Sequence, residues 1–423
     1  MQMSTIDDEA TRLPSHRLWR NRDFLLLWSG QLVSTLGSNI STLALPVLVL
    51  ALTNAPAQAG LIAAAGALPY LLLSLPAGAF LDRWDRKAVM IRCDAARGVA
   101  YGSVPVAAAV GHLTLAHLYA VALIGGMANV LFGLAQVSAL PRVVSRAHLS
   151  HANALNEGAD QTGLLLGPVV GGVIIALARS QAIGAVLAFL VDSLSYLVSV
   201  LTLGLIRTPF QVARQPVSSR SLRAEIAEGL RFLWAQRRLR IMALLTTSVN
   251  FFFSPIYLAI VVLVKDLHAL HLAAPGRGVV LGLVVGAGGG GGVLGALLAP
   301  WLHVRLRFGQ VTIGAVTTWA AAAAVVAGAS SPVVVGLGWA VLNLAWPVYA
   351  VTLVSYRLAA TPDHLQGRVN SAFRVLSYGV EPLGMAAGGL LLGVAGPRVE
   401  LWIIAGGLAA SVLAVGVTEV RYA

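Results

Sequence analysis

The chain has 423 residues, of which 57% are hydrophobic and only 11% charged, where a soluble globular protein carries about 25% charged residues. A net charge of +12 would suit nucleic acid, but the basic residues are spread over many short segments with no patch, stripe or usual binding module, so nucleic acid is excluded as a partner. Cys93 is the only cysteine, which excludes an intramolecular disulfide and a cysteine-based metal site.

The first 23 residues carry early acids and no apolar segment before Phe24, so no cleavable signal peptide is expected and the first span is a retained anchor. From Phe24 onward, apolar runs of about 20 residues follow one another, the length a helix needs to cross a hydrocarbon core about 30 Å thick. Taken between charged or Pro/Gly breaks, they predict spans near 24–50, 58–80, 88–110, 114–140, 158–178 and 182–206, then 241–264, 278–301, 310–329, 332–356, 369–394 and 400–418. The class is all-α integral membrane, with the lipid bilayer as solvent. Twelve spans put both termini on one side. With the N-terminus inside, 25 of the 29 Lys and Arg fall in inner segments, leaving Arg179, Lys265, Arg277 and Arg398 outside. Inner loops collect Lys and Arg, so both termini are expected in the cytoplasm and the protein in the cytoplasmic membrane.

The longest inner connection, 207–240, separates a half at 24–206 from a half at 241–418, with cytoplasmic segments at 1–23 and 419–423. Within it Leu222, Ile226, Leu230, Leu233 and Trp234 share one helical face, as in an amphipathic surface helix. It is either a topology-setting linker or a latch. A shift of 217 residues lays Gly78-Ala79 on Gly295-Ala296, Trp84 on Trp301, Asn153 on Asn370, and Gly167, Gly171 and Gly172 on Gly384, Gly388 and Gly389. Two parallel six-span halves follow, with a cavity near the midplane on their pseudo-two-fold axis.

The loop after span 2 places Gly78, Asp82, Arg83, Asp85, Arg86 and Lys87 in a short inner turn, where glycine lets helices approach and Asp82 accepts bonds from a helix N-terminus or an arginine. It resembles the loop 2-3 motif of the major facilitator superfamily, with Asp85 where glycine is usual. Span 5 carries Gly163, Gly167, Pro168, Gly171 and Gly172. Glycines four apart give a smooth packing face and Pro168 removes a backbone bond, which serves plain helix packing as well as function; the run is similar to the superfamily's exporter motif. Arg20-Asn-Arg-Asp-Phe24, Asp94-Ala-Ala-Arg97, Leu140-Pro141-Arg142 and Ala152-Asn-Ala-Leu155 resemble the branch that contains the enterobactin exporter and the macrolide efflux proteins. This resemblance implies twelve helices working by alternating access, with drug-like or siderophore-like small molecules exported in exchange for protons. It makes Gly78, Asp82, Arg83, Arg86, Lys87, Asp94, Arg97 and Arg142 an inner-gate set. It also places spans 1, 4, 7 and 10 around the cavity, which offers Gln31, Ser34, Asn39, Asn129, Gln136, Asn250, Phe253, Tyr257, Trp339, Asn343 and Trp346 to a bulky amphipathic ligand.

Charge in mid-span is costly in lipid and is a functional candidate by default. Asp192 in span 6 and Glu381 in span 11, just before Pro382, meet that test. Arg374 precedes Glu381 by seven residues, on the same helical face about 10 Å away. Glu381 is the first candidate for proton coupling, Asp192 the second, and Asp160, nearer the inner surface, the third. A carboxyl bonded to neighbouring hydroxyls for packing alone is the other reading. No Gly-x-x-x-x-Gly-Lys-Ser/Thr loop occurs, so nucleotide hydrolysis on this chain is excluded as the motor and pumping must come from a gradient, which the resemblance implies is one of protons; no cofactor or enzymatic activity is expected. His148 and His151 are weak metal spacing without a third ligand, and no metal site is expected. A nutrient uptake symporter on the same fold is the alternative. A membrane sensor that transports nothing is a third reading, and an appended soluble domain would be expected of it. A monomer is expected.

Overall fold

The computed structural model describes residues 15–73, 84–145, 148–210, 222–268, 274–362 and 365–416, and among them the only regular secondary structure is helical. After a short 3-10 turn at Ser15–Arg20, the first half contains α1 (Arg22–Thr53), α2 (Pro56–Leu73), α3 (Arg86–Ala109), α4 (Leu115–Val143), α5 (Leu149–Leu177) and α6 (Gln181–Leu205). The connecting helix α7 (Leu222–Ala235) leads to α8 (Arg237–Phe253), α9 (Ile256–His268), α10 (Ala274–Arg305), α11 (Phe308–Gly328), α12 (Pro332–Ala360), α13 (Gln366–Tyr378) and α14 (Glu381–Gly416).

Helix starts follow from capping chemistry. The side chains of Asn21, Asp85, Thr114 and Ser180 each accept a backbone N–H of the first turn that follows, which satisfies donors that the helix itself leaves orphaned. α1 stops at Asn54, which adopts a left-handed conformation with φ 51°. α14 turns sharply at Gly396, φ 79°, a conformation open to glycine, giving limbs at 381–395 and 397–416.

Ten stretches are long and apolar enough to cross a bilayer, and one of them, 368–414, contains the Gly396 turn and so crosses twice. α3 holds five charges in its first twelve residues and brings the number of crossings to twelve. The predicted spans are present with three differences. α5 begins at Leu149, nine residues ahead of the predicted start, because the polar stretch before Gly158 is helical. Span 7 is broken between α8 and α9, and span 11 between α13 and α14. Each break sits at a proline, Pro255 within the first and Pro382 just after the second: they lack the N–H that would bond Phe251 and Tyr378, and their rings crowd those carbonyls. The breaks are tied together, since Ser254 Oγ donates to the Glu381 carbonyl at 3.3 Å and Asn250 Nδ2 donates to the Ser377 carbonyl at 2.7 Å.

α1 packs on α5 and α6, and α10 on α12, while the main contacts between the two halves are α5 on α10 and α2 on α14. Most described Arg and Lys, including Arg86, Lys87, Arg142, Arg207, Arg305, Arg357 and Arg374, gather at one end of the bundle, here the basic end. At the opposite end the halves meet glycine to glycine. A Cβ on Gly60 would stand 2.5 Å from Gly389 Cα, and one on Gly278 2.6 Å from the Gly172 carbonyl oxygen. Gly172 and Gly389 correspond under the 217-residue shift, so the two contacts form a pseudo-symmetric pair. α7 lies across the basic end with Glu228 ion-paired to Arg368 at 2.6 Å. Of its predicted apolar face Leu233 is buried, Leu230 and Trp234 are exposed, and the side chains of Leu222 and Ile226 lie outside the described residues.

Candidate transport cavity and buried polar sites

The span 11 break carries Glu381 into a chamber of about 900 Å³ between the halves. α2 contributes Tyr70, α12 contributes Trp346, Leu353 and Arg357, and α13 contributes Gln366, Asn370, Arg374 and Tyr378. The chamber lies toward the basic end, where Arg374, Val354 and Leu358 at its mouth are exposed. Arg374 donates through Nε and Nη2 to the Tyr70 hydroxyl at 2.9 and 2.6 Å, and Tyr70 meets Tyr378 edge to face at 6.0 Å. Arg357 lays its guanidinium 4.4 Å over the Phe373 ring. A carboxyl, two guanidinium groups and several rings in one water-accessible space suit an amphipathic solute carrying charge.

A second chamber of about 280 Å³ lies deeper, lined by Ser41, Thr42 and Pro46 of α1, Gly60 of α2, Tyr101 of α3, Pro255 and Tyr257 at the span 7 break, and Met385 of α14. Ser41, on its wall, donates to Asp192. Asp192 is fully buried and also accepts from Ser195 Oγ at 3.2 Å. On α3, Asp94 is fully buried and accepts from Arg97 and, at 2.6 Å, from Ser199 Oγ. The Arg97 guanidinium lies 4.7 Å from the Phe132 ring centre and 4.6 Å from that of Tyr196, and the Tyr196 hydroxyl is 2.8 Å from Ser38 Oγ. α1, α3 and α6 thus share one polar cluster in which each acid has donors.

Of the three predicted coupling acids, Glu381 lines the large chamber, Asp192 sits one hydroxyl from the small one, and Asp160 is exposed, accepting from Thr35 Oγ1 at 3.3 Å. Of the gate set, Gly78, Asp82 and Arg83 lie outside the described residues. Arg86 donates to the Ser138 carbonyl at 3.2 Å, and Lys87 Nζ to the carbonyls of Gly204 and Ile206 at 3.3 and 2.6 Å. Arg142 is exposed at the end of α4. Asp94 and Arg97 are buried inside the first half, between α3, α4 and α6. In α5, Gly163, Gly167 and Gly171 pack on Thr35, Asn39 and Ile40 of α1, Gly172 packs on α10, and Pro168 is buried.

Of the predicted ligand residues, Trp346 lines the large chamber and Tyr257 the small one. The others are elsewhere. Ser34 donates to the Gln31 carbonyl, Asn39 to Thr35, Asn343 to Trp339 and Trp339 to Val285. Gln31 is buried, Gln136 half-buried and Asn129 exposed. Phe253 stacks on Trp339 and Trp346.

Sequence reasoning missed Tyr70, Arg357 and Tyr378, which reach the chamber because the halves converge there. It also missed Glu400. Placed as the first residue of span 12, Glu400 reads as a solvated end residue, yet it is 1% exposed and neither carboxyl oxygen has a hydrogen-bond partner among the described residues.

The comparisons with known proteins agree with this geometry. Over 394 residues the chain is 30% identical to the multidrug efflux pump Tap of Mycobacterium tuberculosis, covering 89% of this chain and 88% of that one. It is 23% identical over 233 residues to macrolide efflux protein A of Streptococcus pyogenes, 55% of this chain and 56% of that one. The fold is similar to that of the nucleoside transporter NupG, D323A mutant, with a TM-score of 0.76 at 13% identity over 93% of this chain and 98% of that one. The model of the transmembrane secretion effector family matches residues 16–423, and the chain belongs to that family of membrane transporters with the major facilitator fold.

Proposed function

We propose that the protein is a proton-coupled exporter of amphipathic, drug-like compounds in the cell membrane, with its basic end in the cytoplasm. The observation that carries this reading is Glu381, set in a chamber open at the basic end while the opposite end is shut by the paired glycine contacts. A solute enters from the basic end, and Glu381 takes either a proton or the positive charge of the solute. Exclusive occupancy of one carboxyl by proton or solute is the simplest form of antiport, since each expels the other. Trp346, Tyr70 and Tyr378 supply the apolar surface and Arg357 and Arg374 confine the charge. A monomer contains every residue of this site. Asp192, with its Ser41 hydroxyl facing the smaller chamber, is a second place for a coupled proton.

The test uses ethidium as a cationic probe in proteoliposomes with an imposed pH gradient. The parent protein is expected to move ethidium against its concentration when protons run the other way. Glu381→Gln is expected to lose gradient-driven accumulation by tenfold or more while exchange without a gradient persists. Full proton-driven transport by Glu381→Gln would overturn the assignment of Glu381.

A further inference from the structure

Glu400 stands on the 397–416 limb of α14, four residues past the Gly396 turn, with its carboxyl against the span 7 break and the 381–395 limb. A Cβ on Gly388 would meet Glu400 Oε1 at 2.6 Å and Pro255 Cγ at 2.8 Å, so carboxyl, proline ring and glycine backbone share one tight contact. The next residue, Gly389, is the one that touches Gly60 of the other half. Glu400 therefore backs the closed contact across a single helix.

Among the described residues no partner neutralises it. Arg398 turns away and donates to the carbonyls of Ala327 and Ala329 at 3.1 and 2.8 Å. α11 has no ionisable residue along its length, and α2 brings only Tyr70, at its far end. The charges of α8, Arg237, Arg238 and Arg240, are at the basic end, and Lys265 and Asp266 lie more than two turns beyond Pro255 on α9. Tyr257 is near the break, with its hydroxyl on the smaller chamber and without a partner. Glu381 opens into the large chamber, seven residues and about 10 Å along the axis from Gly388. A carboxylate stripped of water, donors and counter-charge is not tolerated in such a contact, whereas the neutral acid is.

We propose that Glu400 is a proton-binding site that latches the end opposite the basic one. With its proton, the side chain seats behind Gly388 and keeps Gly389 on Gly60. When the proton leaves to water on that side, the carboxylate draws in water and donors, the 381–395 limb moves off Pro255, and the glycine contact opens. The latch rests on the transporter reading only in that the two ends open in turn; it does not depend on which solute is carried.

Cysteine accessibility in Cys93→Ser protein tests this, with Ala57→Cys beside the Gly60–Gly389 contact as reporter and Val110→Cys, exposed at the same end, as reference for the intrinsic pH dependence of thiol chemistry. Labelling by a membrane-impermeant maleimide is followed from pH 5 to 9 in reconstituted membranes without solute. The Ala57→Cys to Val110→Cys labelling ratio is expected to rise at least threefold with pH when Glu400 is present. It is expected to be low and flat in Glu400→Gln, and to regain its rise in Glu400→Asp, which separates titration from a folding defect. Glu381→Gln should keep the rise, so loss of proton-driven ethidium transport and loss of the latch are read independently. An undiminished rise in Glu400→Gln, a flat ratio in the parent, or failure of Glu400→Asp to restore the rise in a folded protein would each overturn the proposal.

Discussion

Asp94 and Arg97 are buried where either charge alone would be intolerable. The pair is three residues apart on α3, so one helical turn brings it together, and Ser199, Phe132 and Tyr196 complete its surroundings. Removing one partner leaves an uncompensated buried charge, which costs about 3–5 kcal/mol, whereas replacing both with apolar groups of similar volume is often neutral. Arg97→Ala is therefore expected to lower the melting temperature sharply in detergent, and the Asp94→Leu/Arg97→Met double variant to recover most of the loss. A double variant no more stable than Arg97→Ala would mean that the ion pair itself, and not the avoidance of a lone charge, holds α3 to α6. The sequence makes this pair legible as spacing, but its depth is not. In sequence Asp94 and Arg97 follow a run of basic residues, and the docking of α4 and α6 on α3 buries them. Glu400 is the converse case: one acid at the start of an apolar run is indistinguishable, as a pattern, from an ordinary end residue in water.

Among the elements, α5 and α14 do equivalent work. Each lays glycines on the first helix of its own half, α5 on α1 and α14 on the α8–α9 break, and each gives the next glycine to the opposite half. Close approach of backbones is what small residues supply in lipid, where no hydrophobic force draws helices together. Gly389→Val places a branched side chain against the Gly60 backbone, and overpacking of this kind costs about 1–3 kcal/mol. The expected result is a population shifted away from the closed opposite end. Labelling at Ala57→Cys should rise at acidic pH, where Glu400 alone would keep it low; unchanged labelling would show that the contact has slack. The helix boundaries and the repeat were readable because apolar length and glycine position are properties of one chain segment. The two proline breaks were readable only as prolines. That Asn250 and Ser254 tie them together depends on which carbonyls are left free, a fact of three dimensions.

At the scale of the molecule, the segregation of Arg and Lys is what the proposed orientation of the bundle rests on. In intact cells Arg179→Cys, in Cys93→Ser protein, is expected to react with an impermeant maleimide, and Arg142→Cys to react only after permeabilisation. The reverse pattern would invert the proposed direction of transport. The two-half architecture was legible from the 217-residue register, while the large chamber was not, because its walls come from both halves. Within that architecture the halves differ in temperament. Asp94 and Asp192 in the first half accept hydrogen bonds from Arg97 or serine hydroxyls, whereas among the described residues neither carboxyl oxygen of Glu400 in the second half has a hydrogen-bond partner and Glu381 is in no ion pair. A protonation event at either of the latter acids changes the charge within the bilayer by one unit, worth about 2.3 kcal/mol per 100 mV if carried across the full field. On the proposed reading the membrane voltage has two levers in the C-terminal half, Glu381 and Glu400, against one, Asp192, in the N-terminal half.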